Sequence, residues 1–139
     1  MKYLLDTNIV SKLRKTLPTP NVVKWMEGVP SNQIYLSCMA ISDLRSGALK
    51  KAKQDKRAGP VLINWIDELI SSYEELIVLI DLEICKKWAE LLTIDSANAI
   101  DSLLLAQAFT NNMVLVTRNI KHLKMFCTKC PNPFGVENV

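Results

Sequence analysis

Four short apolar runs, each closed by a polar residue and each associated with segments of helical periodicity, constrain the fold of this chain more than any other feature. Lys2 to Leu5 ends at Asp6, Ile34-Tyr35-Leu36 at Ser37, Leu76 to Ile80 at Asp81, and Val114-Leu115-Val116 at Thr117. Runs this short are of strand length and too brief for helices. After the first, Asn8 is expected to cap a short helix through about Lys15, and Pro20 or Asn21 to open another that Gly28 stops. Ile41, Leu44, Ala48 and Ala52 then recur at helical spacing from about Met39 to Lys53, and Pro60 to Tyr73 forms a second amphipathic stretch. Asp81 caps a helix over Leu82 to Leu92, and Ala99 to Thr110 forms the last one. Continuous apolar strands alternating with longer helices need cover on both sheet faces, which predicts an α/β fold with a mostly parallel sheet. Sites in such sheets form where loops converge at the carboxyl ends of the strands.

The bulk composition fits one domain over residues 1–139 with a real core, since nearly half the chain is apolar and 22% is charged. The net charge of +3 permits an acidic partner without demanding one. Lys12, Arg14 and Lys15 form one basic group, and Lys50, Lys51, Lys53, Lys56 and Arg57 another; solvated helix ends explain both as readily as a ligand does. No apolar run approaches the roughly 18 residues that span a membrane. Asp6 also interrupts the stretch where a signal peptide would be continuously apolar, so no membrane role and a cytoplasmic location are expected. Cys127 and Cys130 have a metal-like spacing, but His122 is the only nearby candidate to join them, and reduced structural thiols are the expectation.

Four points in the chain can meet at one edge of the sheet. Asp6 directly follows the first strand, and Thr117-Arg118-Asn119 closes the last. Asp43 sits early in the helix after the second strand, and Asp101 in the first turn of the helix before the last. Carboxylates gathered in this way bind hard divalent cations that take oxygen ligands. Mg²⁺ so held can orient a water and neutralise charge on a scissile phosphate. Without a cation the same carboxylates would repel and raise one another's pKa. Each also has a purely structural explanation. Asp6-Thr7-Asn8 can be a turn and cap, Asn98 and Asp101 a capping box, Asp43 a solvated neighbour of Arg45, and Asn119 a cap for Ile120 to Met125.

Taken in order, Leu4-Leu5-Asp6-Thr7-Asn8-Ile9, Ile41-Ser42-Asp43-Leu44-Arg45-Ser46-Gly47, Ala99-Ile100-Asp101-Ser102-Leu103-Leu104-Leu105-Ala106 and Leu115-Val116-Thr117-Arg118-Asn119 resemble PIN-domain ribonucleases. The likeness is to the VapC toxins of toxin–antitoxin modules and their FitB-like relatives, and it runs from about Lys2 to Phe134. It implies a PIN-like, Rossmann-like three-layer α/β/α fold with a short sheet of four to five strands. It further implies an Mg²⁺- or Mn²⁺-dependent endoribonuclease that hydrolyses RNA phosphodiesters with metal-activated water. The three acids fall on Asp6, Asp43 and Asp101 as metal ligands, Asn119 takes a polar fourth position, and the Thr7 and Thr117 hydroxyls support them. A VapB-like antitoxin and a homodimer are the implied partners, with an antitoxin groove guessed around Trp25 and Trp65.

The chain departs from that pattern in three places. Its second acid is Asp43 where the family usually has Glu, no carboxylate stands near Asn119 or His122, and Leu92 to Ile100 lacks the family's Gly-Arg-Pro type loop. Asp95 lies in that stretch and is not expected to replace the missing acid. The alternative these departures allow is a catalytically weakened module that binds RNA or an antitoxin without efficient cleavage. A haloacid-type phosphatase would need an acid two residues beyond Asp6, where Asn8 stands.

Overall fold

A computed structural model of the chain describes residues 1–14 and 20–117, together with the backbone of 136–138. Strand β1 (Lys2–Leu5) leads to helices α1 (Thr7–Lys12) and α2 (Pro20–Glu27), and β2 (Ile34–Ser37) to α3 (Cys38–Gln54) and α4 (Ala58–Ser72). Strand β3 (Ile77–Val78) leads to α5 (Leu82–Ile94) and α6 (Ala99–Thr110), followed by β4 (Met113–Thr117) and β5 (Val136–Asn138). The strands pair in the order β3-β2-β1-β4-β5, and every pairing is parallel.

Alternation along the strands builds three layers. Successive side chains of a strand point to opposite faces. Leu4 and Leu115 therefore join one buried cluster with Ile84, Leu91 and Leu103, while Leu5 and Val116 join another with Ile9, Val22 and Leu69. Helices α5 and α6 cover the first face, and α1, α2 and α4 contribute to the second. Trp25 and Trp65 are both half-buried and pack against the second cluster. Trp25 meets Tyr3 edge to face at 5.1 Å between ring centroids.

Helix α6 is buried without interruption from Ser102 to Ala108, as a helix enclosed by its neighbours must be. Gln107 lies within that run. The Ser37 hydroxyl donates to Gln107 Oε1 at 2.6 Å, and Gln107 Nε2 donates to the Val78 carbonyl at 3.2 Å. A single buried amide thus ties α6 to the ends of β2 and β3.

Three local expectations need correction. Helix α1 ends at Lys12 rather than about Lys15, and its cap is Asp6 rather than Asn8, because Asp6 is the last extended residue and Asn8 is already helical. The apolar run from Leu76 to Ile80 contributes only Ile77–Val78 to the sheet. Edge strand β3 finds partners only at Leu36 and Ser37, and Leu79 beyond them is exposed. Asn98 occupies the N-cap position of α6, but its side chain makes no capping bond and donates to Asp95 instead.

From β1 the chain adds β2 and then β3 on one side, after which β4 returns to the other side of β1. The crevice between β1 and β4 is therefore the topological switch point, where open parallel sheets place their sites.

Candidate active site

Asp6 stands at the switch point. It directly follows β1, its backbone N–H donates to the Val116 carbonyl at 3.1 Å, and only 3% of its surface is exposed. Both carboxylate oxygens are engaged. Oδ1 accepts the Ile9 backbone N–H at 2.8 Å, and Oδ2 accepts the Thr117 hydroxyl at 2.5 Å. Burial pushes the Asp6 carboxyl above its ordinary value, the two hydrogen bonds pull it back, the negative charge of Asp101 raises it, and Lys12 lowers it. Asp101 is thus near enough for its charge to act on Asp6. It gets there because α6 runs antiparallel to the strand it precedes, which puts the first turn of α6 at the carboxyl edge of the sheet.

The loop that delivers Asp101 is held by Asp95 and Trp88. Asp95 Oδ1 accepts the Ala97 N–H at 2.8 Å, and Oδ2 accepts Asn98 Nδ2 at 3.0 Å, so both oxygens serve the connection. Trp88 Nε1 lies 3.1 Å from the Ala99 carbonyl and 3.0 Å from Ser102 Oγ, bracketing the start of α6.

Asp43 occupies the rim. It is exposed on the second turn of α3, and its Oδ2 accepts a hydrogen bond from the Thr7 hydroxyl at 3.3 Å. Ser37 caps α3 through the Met39 N–H at 3.0 Å, which fixes where that helix begins. Asp6 and Asp101 are therefore coupled through space, and Asp43 is tied to the residue after Asp6. Among the described residues no three His, Cys, Asp or Glu side chains converge closely enough to grip one ion. Asn119, His122, Cys127 and Cys130 lie outside the described residues. Cys38 and Cys85 are free thiols.

The donor set still suits a hard cation. Mg²⁺ is commonly held by one or two carboxylates, with water and substrate oxygens completing its shell. A cation beside Asp6 would also offset the charge penalty that burial and Asp101 impose there.

Reading the chain residue by residue missed Gln107, the Trp88 bracket and the charge of Lys12 beside Asp6. Gln107 did leave a signal, as a lone amide inside Leu103-Leu104-Leu105-Ala106-Gln107-Ala108-Phe109. A polar group in a run so apolar needs a buried partner. Trp88 left none, because its partners lie 11 and 14 positions further along the chain.

The profile of the PIN domain family matches residues 3–125. Plasmid stability protein StbB of Pseudomonas syringae pv. tomato is 26% identical over 121 residues, covering 84% of this chain and 86% of that protein. Ribonuclease VapC14 of Mycobacterium tuberculosis is 29% identical over 70 residues, covering 50% and 68% respectively. The crystal structure of FitAcB from Neisseria gonorrhoeae superposes with a TM-score of 0.81 at 21% identity, over 98% of this chain and 96% of that one. A toxin–antitoxin complex from Klebsiella pneumoniae matches with a TM-score of 0.63 at 23% identity, over 99% of this chain and all of that one.

Proposed function

Because the chain belongs to the PIN domain family, we propose that it is an Mg²⁺- or Mn²⁺-dependent endoribonuclease, the toxin of a VapBC-type toxin–antitoxin module. The observation that carries this reading is the buried Asp6 carboxylate at the β1–β4 crevice, with the charge of Asp101 acting on it. Supporting it are the names of two relatives and neighbours, a ribonuclease and a toxin–antitoxin complex.

In this reading Asp6 and Asp101 hold the cation, Asp43 joins them from the rim, and Asn119 acts as a polar fourth residue. When bound, the ion supplies charge neutralisation at the scissile phosphate and acidifies water for in-line attack. The protein's own contribution is positioning. The Thr117 hydroxyl and the Ile9 N–H fix the orientation of the Asp6 carboxylate and favour its ionised form. The Thr7 hydroxyl steadies Asp43, and the Trp88 bracket sets where Asp101 stands. RNA is the substrate, a VapB-like antitoxin the inhibitor, a homodimer the working assembly and the cytoplasm its place. One domain over residues 1–139 carries all of this.

A second reading has one observation in its favour. With no three acids converging among the described residues and Asp43 held by Thr7, the module would bind RNA or an antitoxin and cut poorly. Incubation of structured RNA, including a tRNA pool, with Mn²⁺, Mg²⁺ or EDTA separates the two. Metal-dependent cutting that Asp6→Asn and Asp101→Asn abolish is the expected result. A wild type as inert as its variants, with no Mn²⁺ site by calorimetry, would leave only the binding module.

A further inference from the structure

We propose that one face of α3 is the track along which the RNA backbone leaves the acids, with Lys50 and Lys53 binding its phosphates. This deepens the nuclease reading and rests on it.

Ser42, Arg45, Ser46, Leu49, Lys50 and Lys53 line a single shallow concavity of about 330 Å³. Their spacing puts them on one side of the helix. The face is continuous with the candidate site, because Ser42 adjoins Asp43, and Asp43, Ser46 and Lys50 follow one another at helical spacing along its rim. From Asp43 to Lys53 the helix rises about 15 Å, the length of roughly four stacked nucleotides.

The charged residues that line the concavity, Arg45, Lys50 and Lys53, are all cationic. Arg45 pairs with Asp67 at 3.1 Å, an exposed contact that a competing phosphate can displace. No carboxylate lies within salt-bridge distance of Lys50 or Lys53 among the described residues. Lys51 in the last turn of α3 and Lys56 and Arg57 just beyond it add further exposed cations, with Asp55 among them. The serine hydroxyls add donors suited to phosphate or sugar oxygens. The surface is also open beside Asp43, since a side chain added at Gly47 would meet nothing within 4 Å. A polyanion with regularly spaced charges fits this stripe better than an apolar helix does, because its cations lie along the whole length.

Fluorescence anisotropy of a labelled single-stranded RNA in EDTA, repeated over a salt series, tests the proposal. Wild type is compared with Lys50→Gln/Lys53→Gln and with a charge-matched control, Lys24→Gln/Lys86→Gln. The α3 variant is expected to bind about tenfold more weakly, with the slope of log K against log salt reduced by about 1.4. In Mn²⁺ its KM for cleavage should rise while kcat holds. Equal binding by the α3 variant and the control would overturn the track and leave the nuclease reading standing. A change in self-association by sedimentation, with RNA affinity intact, would also overturn it and give the face to a protein contact. Wild type that neither binds nor cuts RNA would remove the nuclease reading, and the track with it.

Discussion

The Thr117 hydroxyl donates a 2.5 Å hydrogen bond to Asp6 Oδ2, joining residues that are 111 positions apart in the chain. Leu5 and Val116, the residues just before them, are register partners in the sheet. The bond therefore closes the crevice between β1 and β4 at the point where the strand order reverses. It also gives an ionised, buried oxygen its donor.

Replacing Thr117 by Val keeps the shape and removes that donor. Hydrogen bonds to charged groups are worth about 1.5–3 kcal/mol, and the loss should be of that size in urea unfolding at neutral pH. Thr117→Ser should recover most of it. Equal stability of the Val and Ser variants would mean that the hydroxyl does not support Asp6.

The raised pKa of Asp6 has a definite sign in stability. Burial is its main cause, so the native state holds the Asp6 proton more tightly than the unfolded chain does. Stability from this group is greatest below the ordinary value of 3.8, falls as pH climbs through the raised value, and is level above it. Asp6→Asn should therefore melt higher than wild type at pH 7, with the difference vanishing in acid. A variant that is less stable at pH 7 would contradict this.

Metal should reverse the penalty. Mn²⁺ at a hundredfold over Kd would stabilise wild type by about 2.7 kcal/mol and leave Asp6→Asn unmoved. Asp43→Glu lengthens the rim carboxylate by one methylene, letting it reach past the Thr7 hydroxyl. A gain in kcat of about tenfold to a hundredfold is expected, since an ångström of misplacement costs on that order. Weaker Mn²⁺ binding by Asp43→Glu would remove position 43 from the ligand set.

Gln107→Leu would leave the Val78 carbonyl without its Nε2 donor and the Ser37 O–H without its acceptor, while Ser37 Oγ still accepts the Met39 N–H. Each orphaned group costs about 1–3 kcal/mol. The double variant Ser37→Ala/Gln107→Leu should lose less than the two single losses added together, because Ser37→Ala removes one of the orphans. Additive losses would show that the network is not a unit.

Two glycines in neighbouring helices should respond in opposite directions. A Cβ at Gly59 would lie 2.4 Å from Ala52 Cα and Cβ, so Gly59→Ala forces α3 and α4 apart and should cost about 1–3 kcal/mol. Gly47 has open space, and Gly47→Ala should gain about 0.5–1 kcal/mol from backbone entropy alone. Thermal melts read both.

The amino-acid sequence by itself determined the layers of this protein and the sheet edge on which its candidate acids lie. Strand length, apolar continuity and helical period are local properties, so β1, β2, β4 and α6 are legible from runs such as Leu4-Leu5-Asp6 and Val114 to Thr117. The candidate acids were legible as well, because each follows a strand or lies in the first two turns of a helix. Tertiary structure alone decided how those acids stand to one another. It coupled Asp6 to Asp101, left Asp43 on the rim with Thr7, and occupied Asp95 in its own loop. It also shortened β3, whose apolar run continues where the sheet offers no further partner. Pairing, burial and the distance between charges depend on residues far apart in the chain, and no local pattern records them.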